Sequence, residues 1–140
     1  MTRVGINGFG RIGRLAARAL RNHRTLELAH VNDLNADLVT AAHLFEFDTV
    51  HGRYPGVVST NGVALSIDGT DVTFSCASKP AEIDWSAAGV DIVIEASGKF
   101  KTVDTLQLHL DNGAASVIVA APVKDDAVLN VVIGCNDDLY

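Results

Sequence analysis

Val4-Gly5-Ile6-Asn7-Gly8-Phe9-Gly10-Arg11-Ile12-Gly13-Arg14 decides how this chain is read. A short apolar run enters a G-x-G-x-x-G turn, and Ile12, Leu15, Ala16, Ala19 and Leu20 then recur at helical spacing, so the stretch predicts strand, tight turn and helix. Asp33 closes the next apolar run, twenty positions after Gly13. An acidic residue at that distance completes the pattern of a dinucleotide-binding βαβ unit and points to NAD as cofactor.

Working outward, Arg3 to Asn7 and Leu26 to Val31 read as the first two strands, with helices over Ile12 to Leu20 and Ala36 to Phe47. Leu38, Ala41, Ala42 and Phe45 supply the apolar face of the second helix. The middle changes character: Val57 to Ser59, Val63 to Ile67 and Val72 to Cys76 are short strand candidates separated by the turn signals Asn61-Gly62 and Asp68-Gly69. A brief helix is expected over Ala81 to Ala88, and Val90 to Glu95 resumes the pattern of a buried parallel strand. Val103 to Leu110 predicts a third crossover helix stopped by Asn112-Gly113, and Ser116 to Ala121 and Val131 to Gly134 predict two final strands. The fold class that results is α/β, a Rossmann-like, mostly parallel sheet flanked by helices with a small β-rich insertion.

The chain has 140 residues, 48% of them hydrophobic and 20% charged, which is one ordinary folded domain with no linker or low-complexity tract. A formal net charge of -6 argues against nucleic acid or an anionic membrane as partner, and neither a basic stripe nor an aromatic platform for RNA is present. A dinucleotide needs no basic surface, because backbone amides at a helix N-terminus hold its pyrophosphate. The N-terminus shows neither a leader pattern nor a span-length apolar segment, and two distant cysteines suggest neither a disulfide scaffold nor a zinc site; a cytoplasmic location is therefore expected.

The three glycines take separate tasks in this reading. Gly8 permits the tight turn, Gly10 lets the pyrophosphate approach the backbone, and Gly13 lets the helix pack closely on the sheet. The competing reading is a glycine-rich connection in an unrelated α/β protein. Asp33 would accept hydrogen bonds from the adenosine ribose, and its charge disfavours a 2'-phosphate, hence NAD over NADP. An acidic cap before the helix starting near Ala36 is the alternative role, and the two are compatible.

Asn7-Gly8-Phe9-Gly10-Arg11-Ile12-Gly13-Arg14, Asn32-Asp33, Phe47-Asp48-Thr49-Val50-His51-Gly52 and Ala121-Pro122-Val123-Lys124-Asp125 together resemble the N-terminal NAD-binding part of the phosphorylating glyceraldehyde-3-phosphate dehydrogenases. The resemblance runs over essentially the whole chain. It implies that Arg11 and Ile12 present backbone amides to the pyrophosphate, that Asp33 holds the ribose, and that Asn7 and Phe9 line the groove. It also implies that Lys79 lies toward the adenine and that Ser97, Gly98, Phe100 and Ala120 lie near the dinucleotide. The sequence departs from the usual family wording at Ala96-Ser97-Gly98, for Ser-Thr-Gly, and at Ala120-Ala121-Pro122, for Ser-Ala-Pro. Serine at 97 keeps a hydroxyl, whereas Ala120 leaves only its backbone to make a contact there.

The same resemblance implies the reaction: oxidation of glyceraldehyde 3-phosphate by NAD with inorganic phosphate to 1,3-bisphosphoglycerate, in glycolysis, through a cysteine nucleophile in a Ser-Cys-Thr-Thr-Asn segment. That segment does not occur here. The expectation is therefore that residues 1–140 form the NAD-binding domain of a longer protein, a homotetramer in its full-length form. The downstream catalytic domain and returning C-terminal helix are taken to be absent, so no catalytic residue is assigned and the isolated chain is not competent for turnover. A cofactor domain of an erythrose-4-phosphate dehydrogenase and a noncatalytic NAD-binding or assembly module are the alternatives. Cys135 is expected on an apolar strand end without a general base, Cys76 as a small buried hydrophobe, and His51 in a structural or interface role.

Overall fold

The computed structural model describes residues 1–140. Nine strands and three helices follow in the order β1 (Thr2–Asn7), α1 (Arg11–Leu20), β2 (Leu26–Asn32), α2 (Leu38–Glu46), β3 (Phe47–Asp48), β4 (Gly52–Arg53), β5 (Val58–Thr60), β6 (Ala64–Ile67), β7 (Thr70–Ser75), β8 (Ile92–Glu95), α3 (Val103–Asp111) and β9 (Ser116–Val119). Seven of the strands form one sheet in the order β5-β6-β7-β2-β1-β8-β9. The pairs from β7 through β2, β1 and β8 to β9 are parallel, and β5, β6 and β7 form an antiparallel meander at one edge. The short β3–β4 hairpin, which apolar patterning does not reveal, stands apart from the sheet.

Alternation along the strands divides the core between two faces of the sheet. Val4, Ile6, Leu28 and Val31 pack with Ala17, Leu20, Ala41 and Phe45 of the first two helices. Ala29 and Val93 pack with Ile83, Trp85, Val90 and Ala114. Gly5 is small for a packing reason: a Cβ there would lie 2.5 Å from Cζ3 of Trp85, the chain's single tryptophan.

Helix α2 buries Ala41, Ala42 and Phe45 as its period predicts, and it is capped by Asp37, whose side chain accepts from the Thr40 amide at 2.7 Å. Helix α1 is turned relative to the expected stripe. It buries Gly13, Ala17 and Leu20, at i, i+4 and i+7, while Ile12 is 55% exposed and Ala19 also faces out. The close approach of Gly13 to the first turn pulls that edge of the helix inward and rolls Ile12 away from the sheet. Asp68 and Gly69, both at positive φ, make the β6–β7 hairpin turn that their sequence signals.

Two expected elements do not form. Ala81 to Ala88 holds only a 3₁₀ turn at Pro80–Glu82, because the Glu82 carboxylate takes the Ser78 and Lys79 amides and Asp84 takes the Ala87 amide, offering the backbone partners outside a helix. Val131 to Gly134 is irregular, and Ile133 is 88% exposed. Here too side chains occupy the groups a ladder would need: Asn136 accepts from the Val132 amide at 2.6 Å, and Asp137 accepts from the Gly134 amide at 2.8 Å. Strand β9 is consequently the sheet edge. Cys135 sits exposed in that segment rather than on a strand end, and Cys76, expected in the core, is exposed just beyond β7. No helix is long and apolar enough to cross a membrane.

Candidate dinucleotide site

Strand order reverses direction at β1, which feeds β2 on one side and has β8 on the other. Ligands of open parallel sheets bind beyond the carboxyl ends of the strands at such a point. A cleft of about 130 Å³ lies there, lined by Asn7, Gly10, Asp33, Ser97 and Phe100 among others. A cleft of that volume borders a ligand rather than enclosing it, since sites that enclose drug-sized ligands hold roughly 300 Å³ or more.

The glycine turn has the geometry its sequence spacing requires. Gly8 adopts φ 94°, and a Cβ there would lie 2.5 Å from the Ser97 backbone, so the turn folds directly against the end of β8. A Cβ on Gly13 would lie 2.1 Å from the Gly8 carbonyl oxygen. Around Gly10 an added Cβ meets nothing within 4 Å, which leaves an open approach to the backbone at the start of α1. Gly10 has no side chain to cap the helix, the first turn carries no acidic residue, and the Arg11 and Ile12 amides have no acceptor in the chain. Uncapped amides at a helix N-terminus behind an open glycine fit a pyrophosphate.

Asp33, 8% exposed, ends one residue beyond β2. One of its oxygens accepts from the Phe9 amide at 2.6 Å, and the other accepts from the Asn35 and Ala36 amides at 2.8 and 3.0 Å. The carboxylate therefore fixes both the glycine turn and the loop into α2, and keeps acceptor capacity toward the cleft for a hydroxyl. Its role as a local cap coexists with its place in the site, while the helix itself is capped by Asp37.

The other predicted residues divide. Asn7, Gly10, Asp33, Ser97 and Phe100 meet in the cleft, Arg11 and Ile12 stand at the α1 terminus beside it, and Gly98 lies in the turn between Ser97 and Phe100 at φ 72°. The Phe9 side chain is 2% exposed and stacks with Phe45 in the core, outside the cleft lining, while its amide is held by Asp33. Lys79 precedes the 3₁₀ turn and is exposed outside the cleft lining, where Ala77 and Ser78 stand instead. Ala120 follows β9 and is exposed, with its amide donating to the Glu95 carbonyl at 2.9 Å.

Beneath the cleft the ends of four adjacent strands are stitched together by side chains. Glu95 accepts from Asn7 at 2.5 Å, Asn7 accepts from Asn32 at 2.8 Å, and Asn32 accepts from the Ser75 hydroxyl at 2.7 Å. His30 lies next in line, with its ring nitrogens 2.7 and 2.8 Å from the Thr73 and Ser75 hydroxyls. Polar residues that close apolar runs, Asn7, Asn32 and Glu95, are the sequence signal that marks this row in advance.

Burial lowers the His30 pKa from 6.5 to about 4. Between these values the unfolded chain binds a proton that the folded chain refuses, so stability is greatest above pH 6.5 and declines as the pH falls toward 4. The loss expected across that window is about 3 kcal/mol at most. Urea unfolding midpoints measured from pH 7 to 4 will show it, and His30→Gln will flatten that part of the curve.

His51 occupies a structural position in the β3–β4 turn. The Asp48 carboxylate accepts from the His51 and Val50 amides at 2.7 and 2.9 Å, bonds that hold it well below the usual carboxylate range, and lies 3.1 Å from His51 Nδ1. Arg11 reaches the same carboxylate at 3.7 Å, which ties the hairpin to the start of α1.

The family model described as glyceraldehyde 3-phosphate dehydrogenase, NAD binding domain, matches residues 2–103. Over 138 residues the chain is 51% identical to glyceraldehyde-3-phosphate dehydrogenase 3 of Nostoc sp., covering 99% of this chain and 41% of the relative. It is 43% identical over 140 residues to the glyceraldehyde-3-phosphate dehydrogenase of Thermotoga maritima, covering 99% and 41% respectively. The enzyme of that name from Geobacillus stearothermophilus is 42% identical over 138 residues, again with 99% and 41% covered. The chain thus spans about two fifths of the length of these curated relatives.

Proposed function

The chain belongs to the glyceraldehyde-3-phosphate dehydrogenase family as its NAD-binding domain, and on that premise we propose that residues 1–140 bind and orient NAD for the oxidation of glyceraldehyde 3-phosphate to 1,3-bisphosphoglycerate. Bound NAD supplies the hydride acceptor. The uncapped Arg11 and Ile12 amides would hold its pyrophosphate across Gly10, and Asp33 would accept from the adenosine ribose. Asn7, Ser97, Gly98 and Phe100 would border the dinucleotide on the β8 side. The aldehyde, the phosphate and the nucleophile would be bound by the part of a full-length protein that corresponds to the remaining length of the relatives, in a homotetramer. Cys135 and Cys76 supply no nucleophile in this scheme, since neither lies in the cleft lining.

The observation that carries this reading is the open Gly10 between unpartnered helix amides and the buried Asp33 carboxylate. Calorimetric titration of the chain with NAD and NADP tests it. Saturable NAD binding is expected, with NADP at least about tenfold weaker, because a 2'-phosphate would stand against Asp33. Equal affinities would remove Asp33 from the ribose site, and no binding by the folded chain would overturn autonomous cofactor binding.

A further inference from the structure

We propose that Glu95 is a positioning residue for the dinucleotide: its buried carboxylate, oriented from behind by His109 and Trp85, sets the direction of the Asn7, Asn32 and Ser97 hydrogen-bonding groups on the floor of the cleft. The proposal rests on the cofactor site described above but concerns residues that do not line it.

The Glu95 side chain is 1% exposed and that of His109 0%. One Glu95 oxygen accepts from the Asn7 amide group and lies 3.0 Å from His109 Nε2; the other accepts from the Ser97 backbone amide at 2.8 Å and from the Ser97 hydroxyl. Trp85 Nε1–H approaches His109 Nδ1 at 3.0 Å. An indole N–H only donates, so Nδ1 must accept, the ring proton sits on Nε2, and Nε2–H donates to Glu95. Four donors then converge on the four acceptor positions of one carboxylate, a set that only the anion satisfies in full.

Because this carboxylate only accepts, Asn7 must turn its NH₂ toward it and its carbonyl toward Asn32. Asn32 is thereby obliged to donate to Asn7 and to offer its own carbonyl to Ser75 and the Ala77 amide, at 2.7 and 2.8 Å. Asn7, Asn32, Ala77 and Ser97 all line the cleft. The polarity of that surface, across four strand ends, is dictated by Glu95, and the proton that completes the Glu95 shell is placed by Trp85, which packs on the same face of the sheet as Val93 and Gly5. A glutamine at 95 would point an NH₂ at donors on one side or the other, which breaks either the Asn7 chain or the Ser97 turn.

The test compares NAD titrations of the chain with those of Glu95→Gln, His109→Gln and His109→Leu. Glutamine places an N–H near the imidazole Nε2 and keeps the donor, whereas leucine keeps the volume and removes it. His109→Gln is expected to bind NAD within about twofold of the unaltered chain, and His109→Leu and Glu95→Gln to bind about tenfold more weakly. A role in packing alone would leave leucine as good as glutamine; that result, or undiminished binding by Glu95→Gln, overturns the proposal. If His109→Leu does not fold, Glu95→Gln against His109→Gln decides. Should the unaltered chain bind no NAD, the cofactor-site reading fails separately, and hydrogen exchange of the Ser97 amide in the ligand-free chain decides the present one. Exchange about tenfold faster in Glu95→Gln but not in His109→Gln supports it, and unchanged exchange overturns it.

Discussion

Gly13→Ala and Gly10→Ala are expected to fail in opposite ways. An alanine Cβ at 13 would stand 2.1 Å from the Gly8 carbonyl oxygen, a backbone atom in a turn already pressed against Ser97. Neither partner has room to yield, so the variant should lose about 3 to 5 kcal/mol of stability and its NAD binding together. At Gly10 the backbone has φ −68°, which any residue adopts, and the added methyl meets no atom of the protein. The fold should survive Gly10→Ala with its melting temperature nearly unchanged, while NAD affinity falls about a hundredfold because the methyl occupies the approach of the pyrophosphate. Thermal unfolding and calorimetry on the same two samples check both halves. A Gly10→Ala variant that binds NAD normally would remove the pyrophosphate from this turn.

Asp33→Ala carries the other large effect, and here fold and site are not separable. The substitution strips the acceptor from the Phe9, Asn35 and Ala36 amides, the first of them buried beneath the glycine turn. Hydrogen bonds to a charged acceptor contribute roughly 1.5 to 3 kcal/mol each, and solvent recovers part of the loss at the two loop amides, so a destabilisation of about 3 to 5 kcal/mol is expected. Asp33→Asn should cost less, because one oxygen remains for one side of the pair, and it should narrow the preference for NAD over NADP as the negative charge disappears. Urea unfolding of both variants, with NAD and NADP titrations of Asp33→Asn, separates the two contributions. Full stability in Asp33→Ala would show that water replaces the carboxylate at all three amides.

The elements legible in the sequence are those whose signals are local. The glycine turn, the Asp68-Gly69 hairpin and the Ala41, Ala42 and Phe45 face of α2 follow from backbone freedom and period alone. Misreadings arise where side chains compete for the backbone or where a distant contact sets a rotation. Val131 to Gly134 has the composition of a strand, yet Asn136 and Asp137 take its Val132 and Gly134 amides. Ile12 has the period of a core residue, yet the packing of Gly13 turns it outward. Phe9, named for the groove through a family likeness, sends its ring into the core and only its amide toward Asp33.

The sequence by itself determined the strand–turn–helix opening, the glycines that its tight turn and close packing require and the acidic residue that ties the turn to the next loop, because these depend on spacing within some thirty residues of chain. Only the tertiary structure decided that Asn7, Asn32, Ser75 and Glu95, drawn from four strands, form one hydrogen-bonded row, and that Trp85 and His109 stand behind it. Those contacts join residues far apart in the chain, and no local periodicity encodes them. They exist because the parallel crossover connections bring the carboxyl ends of β7, β2, β1 and β8 to the same side of the sheet, where polar ends buried from water must find partners in one another.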